Sequence, residues 1–249
     1  MTWKFGIATD IGGRAEQQDR VDVIRAADGK RSLLVVADGM GGHHGGALAA
    51  QAVIDTANNF FDSNSSDPLA ALEQLCQQVH QSVISVEREG KQSPGSTVVM
   101  LYLDGDEACW AHIGDSRLYH FRNDKVLSRT LDHSMVQLLV TQGEMSEEEM
   151  ATSPLQNQLY MRLGSEQPPE PELNAGQVQQ GDLFLLCSDG FWEYVSPDEV
   201  SEALANNELD DATSQLVSLA RERGGEGGDN ISVAIAQFGK EKKKLGWFF

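Results

Sequence analysis

The chain has little cysteine, no long apolar run and half as many cations as anions, and each shortage removes a class of function. Its 249 residues hold three cysteines, Cys76, Cys109 and Cys187. That odd count, without C-x-x-C or Cys/His zinc spacing, argues against a disulfide framework or a structural zinc site; buried, reduced thiols are expected. None of the three is followed six residues on by an arginine, which removes a thiolate-based phosphatase loop, and H-E-x-x-H is missing. No stretch approaches the roughly 20 apolar residues of a membrane-spanning helix. The start, Met1-Thr2-Trp3-Lys4-Phe5, lacks a signal-peptide core, so a cytoplasmic protein is expected. Lys and Arg number 19 against 38 Asp and Glu, a net charge of −19. The last ten residues contribute +3, leaving residues 1–239 at −22. So acidic a body repels a nucleic-acid backbone. No nucleic-acid partner is expected; basic phosphoproteins and divalent cations are better matched.

What is present is ordinary globular material, 40% hydrophobic and 23% charged, which suits one α+β domain with a core of its own. Strand-like runs cover 3–9, 20–27, 31–38, 96–103, 107–113, 116–122, 172–179, 183–188 and 230–238, with 96–122 reading as a meander turned at Asp104-Gly105 and Asn123-Asp124. A helix is expected over 45–61. A second begins at the Asp67-Pro68 cap, with Leu69, Leu72, Leu75, Val79, Val83 and Val86 on one stripe. Ser196-Pro197-Asp198-Glu199 is a capping box for a third, and Leu209, Ala212, Leu216 and Leu219 mark a fourth. Helices in pairs after the early strands and before the last one imply layers of helix over sheets rather than a βαβ array. The segment 133–170 has short helical pieces and a Pro168-Pro169 exit. It reads as an insertion over the site, against the plainer reading of a connecting excursion.

The chemistry concentrates where apolar runs meet acid and glycine. Leu33 to Ala37 lead into Asp38-Gly39-Met40-Gly41-Gly42; Leu183 to Leu186 lead through Cys187-Ser188 to Asp189-Gly190; Gly228-Asp229-Asn230 opens Ile231 to Ala236. A lone Asp-Gly is usually a turn. Three carboxylates at strand ends, with the Gly39 carbonyl beside one of them, form an oxygen ligand set for Mg²⁺ or Mn²⁺. Asp115, in Gly114-Asp115-Ser116-Arg117, is a fourth candidate, against a structural hairpin in which it pairs with Arg117. Arg14 can take a phosphate bidentately, and Asp19 can orient a water. The combination suggests metal-assisted phosphoryl hydrolysis without a covalent nucleophile. A dinucleotide loop is a poor alternative, because His44 stands at the third glycine position of G-x-G-x-x-G.

In order along nearly the whole chain, Arg14 to Asp19, Ala37 to His43, Gly95-Ser96-Thr97, Gly114 to Arg117, Asp132-His133-Ser134, Ser188-Asp189-Gly190 and Gly228-Asp229-Asn230 resemble the motifs of the metal-dependent Ser/Thr protein phosphatases of the PPM type (type 2C), in their compact bacterial form. The resemblance implies a four-layer α-β-β-α sandwich of two antiparallel sheets over 1–239, with 133–170 as the flap beside the substrate groove. It implies hydrolysis of phosphoserine and phosphothreonine by a water held between two metals, Mn²⁺ or Mg²⁺. It further implies Asp38 as the bridge, Asp189 and Asp229 on the first metal, the Gly39 carbonyl facing the second, and Asp115 at a weaker third. Arg14 becomes the phosphate clamp and Asp19 the acid that orients the attacking water. Phosphoproteins are the implied substrates, a Ser/Thr kinase the opposing enzyme, and a monomer the expected state.

Three departures stand out. Gln17-Gln18-Asp19 replaces Asn-Glu-Asp or Asn-Gln-Asp, putting the neutral Gln18 where an acid can face the second metal. Met40 stands where some members have a general-acid histidine, with His43 as a substitute or as a structural residue. Ala47 follows Gly46 where many bacterial members have Gly-Glu. A catalytically silent fold that binds phosphoproteins remains the rival reading. The tail 240–249, Lys-rich then aromatic, suits contact with a membrane surface or a partner, against a frayed terminus.

Overall fold

The computed structural model describes residues 2–41, 44–62, 67–86, 93–150 and 153–239; His43 and the 240–249 tail lie outside them. Two antiparallel sheets form the middle of the α+β sandwich. One runs β1 (Trp3–Asp10), β11 (Ile231–Phe238), β10 (Leu183–Cys187), β7 (Arg117–Arg122) and β8 (Lys125–Arg129) in spatial order. The other runs β2 (Asp19–Arg25), β3 (Arg31–Met40), β5 (Val98–Asp104), β6 (Glu107–Ile113) and β9 (Glu172–Gln177), with β4 (Gly95–Ser96) pairing the end of β3.

Period-two side-chain alternation builds the layers. Along β3, Leu33, Val35 and Ala37 point one way, into a cluster with Ala50, Val53, Leu72 and Val79. These belong to α1 (Gly45–Ala57) and α2 (Pro68–Ile84). Leu34 and Val36 point the other way, against Phe184, Leu186, Ala234 and Ala236 of the opposite sheet. A strand buried on both faces needs the unbroken apolar run seen in the sequence. The far face of the first sheet meets Val200, Leu204, Ala212 and Leu216. These belong to α6 (Pro197–Asn206) and α7 (Leu209–Gly224). The capping boxes form: the Ser196 side chain accepts from the Glu199 amide and Glu199 reaches back to the Ser196 amide. Asp67 caps α2 by accepting from the Leu69 and Ala70 amides. Short helices α3 (Met135–Thr141), α4 (Glu147–Met150) and α5 (Asp189–Trp192) complete the set. Among the described residues, no helix is long and apolar enough to cross a membrane.

Three local expectations need correction. The run 96–122 is not one meander: β5 pairs β6, but β7 joins the other sheet beside β10. Gly114-Asp115-Ser116 is therefore a crossover between sheets, and Arg117 pairs with Asp132 rather than Asp115. The strand β8 gave no signal because its residues are exposed on an edge; it follows a tight turn with φ 53° at Asn123 and 60° at Asp124, a type I′ geometry. The first helix stops at Ala57, with a separate 3₁₀ turn over Phe60–Asp62.

The pairing register gathers the site. Asp10 faces Ile231, Asp19 faces Asp38, Val98 faces Ile113, and Cys187 faces both Arg117 and Val233. The ends of β1, β3, β6 and β10 and the starts of β2, β5, β7 and β11 thus lie at one end of the sandwich. At the other end, β9 crosses to β10 through Asp182, whose buried carboxylate accepts from Arg122 (2.7 and 2.9 Å), His120 Nε2 (3.0 Å) and the Gln179 amide (2.9 Å). The His120 ring stacks on Phe184 at 4.2 Å. Burial pushes the Asp182 carboxyl up, but the hydrogen bonds from Arg122, the Gln179 amide and His120 outweigh it and hold it below the usual range.

Asp182→Ala leaves Arg122 and His120 without their acceptor, so urea unfolding is expected to show a loss of about 3 kcal/mol at pH 7. The folded Asp182 carboxyl titrates below its unfolded value of 3.8. Its contribution is therefore complete above that pH, and the gap between wild type and variant closes as pH falls below it.

Candidate active site

Five aspartates from separate parts of the chain meet at the register-defined end of the sandwich. A cavity of about 650 Å³ there is lined by Asp38, Asp115, Asp189 and Asp229, together with Arg14 and Gly39. Asp19 lies buried just behind, opposite Asp38 in the pairing of β2 with β3. All seven residues singled out in the sequence are thus brought together.

Each is positioned by an identifiable local structure. Asp38 sits inside β3 rather than at its end, because β4 pairs with Gly39 and Met40 and prolongs the strand. Its carbonyl accepts from the Ser96 hydroxyl (2.9 Å) and the Thr97 amide (2.8 Å). Asp19 accepts from the Ser188 hydroxyl at 2.6 Å, and that hydroxyl accepts in turn from the Ser232 amide at 3.0 Å. Asp189 is the first residue of the one-turn α5, not the turn expected from Asp-Gly, and its buried Oδ1 has no hydrogen-bond partner. Asp115 is held by its backbone carbonyl, which accepts from Trp192 Nε1 at 3.0 Å. Trp192 also lies under the Arg117 guanidinium, 3.5 Å from ring centre, and Asp132 grips that guanidinium at two points, 2.6 and 2.8 Å.

The loop bearing Arg14 is fixed by Asn230. Its side-chain oxygen accepts from the Gln18 amide (2.7 Å), and its side-chain nitrogen donates to the Ile11 (2.8 Å) and Glu16 (3.0 Å) carbonyls. At Gly12, φ is +64° and a Cβ would stand 1.9 Å from the Asp229 carbonyl oxygen, so this contact admits only glycine. Arg14 itself donates to Asp229 at 2.5 Å, both side chains partly exposed.

Charge is the site's dominant feature. Burial, then the charges of Asp189, Asp19, Asp115 and Asp229, push the Asp38 carboxyl well above its usual range. Asp189 is raised likewise by burial, then by Asp115 and Asp229. Burial lifts Asp19 to about 7, with Asp229 adding to it against the hydrogen bond from the Ser188 hydroxyl. Burial lifts Asp115 to about 7, with Asp132 adding to it. Among the described residues, the one ion pair made by these five aspartates is Arg14–Asp229. An orphaned oxygen on Asp189 and converging, unneutralised carboxylates fit divalent cations with oxygen-ligand preference.

On the other side of Asp38, the backbone at Gly39 and Gly46 is in such close contact that a Cβ at Gly46 would lie 2.7 Å from both the Gly39 carbonyl oxygen and Gln18 Oε1. The neutral Gln18 thus presents an amide oxygen beside the Gly39 carbonyl, while its nitrogen donates to Glu16 at 3.2 Å. Sequence reading gave no role to Asn230, Ser188, Trp192 or Arg162. The first two stand inside quoted motifs, but their function depends on which chain segment lies opposite. Arg162, from the flap, lines the cavity with its Nη1 buried; no motif marks it.

A separate group, His112, His133 and Glu172, brings three ligand-type atoms within 4.8 Å. The imidazoles stack at 4.5 Å and 19°, so their in-plane lone pairs do not converge on one ion. His112 Nε2 donates to the Leu131 carbonyl (2.8 Å), and His133 Nδ1 accepts from the Gly114 amide (3.1 Å). With the His133 amide donating back to the Gly114 carbonyl (2.9 Å), the pair pins the root of the flap to the loop carrying Asp115.

A family model described as "Protein phosphatase 2C" matches residues 10–225. A "Putative protein phosphatase 2C-type" from Streptococcus pyogenes serotype M6 is 31% identical over 240 residues, covering 93% of this chain and 96% of its own. The S. agalactiae serine/threonine phosphatase superposes with a TM-score of 0.87 at 30% identity, covering 95% of this chain and all of its own. The catalytic domain of the serine/threonine protein phosphatase PstP, in complex with two manganese ions, superposes with a TM-score of 0.79 at 31% identity, covering 96% of this chain and 99% of that one.

His133→Ala is expected to lower stability in urea titrations by about 1–3 kcal/mol, with Asn, which offers an oxygen near Nδ1, recovering part of it. Burial and then His112 hold the folded His133 at about 3, below its ordinary 6.5. Its contribution is therefore full above pH 6.5, and the difference from the Ala variant shrinks as pH falls toward 3.

Proposed function

The chain belongs to the protein phosphatase 2C family, and we propose that its aspartate cavity hydrolyses phosphoserine and phosphothreonine on proteins with two bound divalent cations, Mn²⁺ or Mg²⁺. It is a protein-serine/threonine phosphatase. The observation that carries the reading of the site is the convergence of buried and half-buried, like-charged carboxylates in a cavity shared with the exposed Arg14.

Asp38 would be the carboxylate shared by the two cations. Asp189 and Asp229 would hold the first, and the Gly39 carbonyl with Gln18 Oε1 would face the second. Asp115 would serve a third, weaker position. Bound there, the cations would supply a deprotonated water at neutral pH and would neutralise charge on the phosphoryl oxygens.

The chain's own residues do the rest. Asp19, fixed by the Ser188 hydroxyl behind Asp38, orients the attacking water. Arg14 exchanges Asp229 for two phosphoryl oxygens, holding the ester in line for displacement. No side chain forms a covalent bond to phosphorus. One chain carries the whole site, which agrees with action as a monomer. A Ser/Thr kinase makes the phosphoprotein that this site consumes.

Phosphate release from a phosphothreonine peptide is expected to need Mn²⁺ or Mg²⁺, to stop with EDTA, and to fall by roughly 10²-fold or more in Asp189→Asn. Release that persists without metal, or in that variant, would overturn the assignment. Replacing the amide by a carboxylate in Gln18→Glu adds charge beside the Gly39 carbonyl. Isothermal titration with Mn²⁺ should show the weaker binding event tightening several-fold while the stronger one is unmoved.

A further inference from the structure

Beside the aspartate cavity lies a second, larger one of about 880 Å³, and the two meet at Asp115 and Asn157. Its walls are the flap, through Glu147, Met150 and Gln156, and the segment from Trp192 to Pro197. A side chain reaching into the aspartate cavity from outside would leave its neighbours along this groove. Trp192, Met150 and Pro197 give its lining an apolar component among the charged residues. An extended chain can lie there without leaving its own amides dry, since the groove is open on one side.

The charges in the groove are largely settled among themselves. Arg117 is held by Asp132, and Arg223 is held by Glu199 at 2.6 Å and by the Tyr194 carbonyl. Glu193 is different. Its side chain makes no ion pair among the described residues and accepts a hydrogen bond from Gln156 across the groove, at 3.3 Å. It lines the groove together with Asp115, and its charge helps to push up the carboxyls of Asp115 and Asp189. Glu147 lines the same groove from the flap, next in sequence to Glu148 and Glu149. Arg129 is the groove's remaining cation.

We propose that this groove selects the sequence around the phosphoresidue, and that Glu193 with Glu147 makes the preferred substrate an extended phosphopeptide carrying Lys or Arg next to the phosphothreonine. The proposal rests on the phosphatase reading of the aspartate cavity. A neighbouring acid in the substrate meets Glu193 and Glu147 and is disfavoured by like charge; a neighbouring base finds two carboxylates that make no ion pair among the described residues. The strong negative charge of the whole chain, −19, favours the same class of partner during encounter.

The test uses the full chain with Mn²⁺ and two phosphothreonine peptides that differ only in Arg or Glu beside the phosphoresidue, with p-nitrophenyl phosphate as a reference too small to reach the groove. At low salt, kcat/KM for the Arg peptide should exceed that for the Glu peptide by roughly fivefold or more. Most of the difference should lie in KM and shrink as salt rises. Glu193→Gln combined with Glu147→Gln should bring the ratio close to one, and Glu193→Lys should invert it. Both positions are at the surface, and melting curves check that the variants fold. Equal rates for the two peptides in the wild type, a preference for Glu, or a ratio unmoved by the variants each overturn the proposal. If the reference ester is not hydrolysed either, the phosphatase reading itself has failed.

Discussion

Carboxylates that repel one another around a single cavity are the constraint on which this structure is organised. Asp19 and Asp115 are buried, at 2% and 8% exposure, and Asp38 and Asp189 carry charges that burial alone disfavours. Such an arrangement is relieved by protonation or by positive charge from outside the chain, which in the proposed function a pair of divalent cations would supply. The two ends of the sandwich make the point by contrast. Asp182, at the far end, is as buried as any of these residues but has Arg122 and His120 on it. It acts as a latch between sheets. At the near end, Arg14 reaches one aspartate and leaves the others to face each other.

Holding that repulsion in place takes neutral hydrogen bonds rather than ion pairs. Ser188, Ser96, Thr97 and Asn230 fix the backbones and one carboxylate without adding charge. Trp192 does the same for Asp115 through its indole nitrogen. The cation that comes nearest from behind, Arg117, is consumed by Asp132 before it can neutralise the cavity. The result is a site whose shape is set by the protein but whose charge is left for its ligands.

The sandwich joins the two cavities in a useful order. Trp192 is under Arg117, beside Asp115 and in the lining of the outer groove. The root of the flap is pinned by His133 to Gly114, one residue from Asp115. Displacement of the flap therefore pulls on the same loop that carries a metal-ligand candidate. Substrate contacts in the groove and ligand geometry in the cavity share this short segment.

Much of this was legible in the residues. The continuous apolar run at Leu33 to Ala37 required a strand buried on both faces, the caps at Asp67 and Ser196 set helix starts to the residue, and strand-end aspartates marked the chemistry. Local pattern failed where the partner lies far along the chain. Gly114-Asp115-Ser116 looks like a hairpin turn, and only the pairing of β7 with β10 makes it a crossover. The exposed strand β8 has no core-facing alternation to reveal it. Ser188, Asn230 and Trp192 are unremarkable by themselves, because a hydrogen bond across 169 or 212 residues leaves no trace in spacing. By itself, then, the sequence determined which residue types could bind a hard cation and which segments had to be buried, since those follow from side-chain chemistry and periodicity. Tertiary structure alone decided that the aspartates share one pocket, that Arg117 is not available to them, and that Glu193 and Glu147 face one groove. Register and sheet crossovers set those distances, and neither is a local property of the chain.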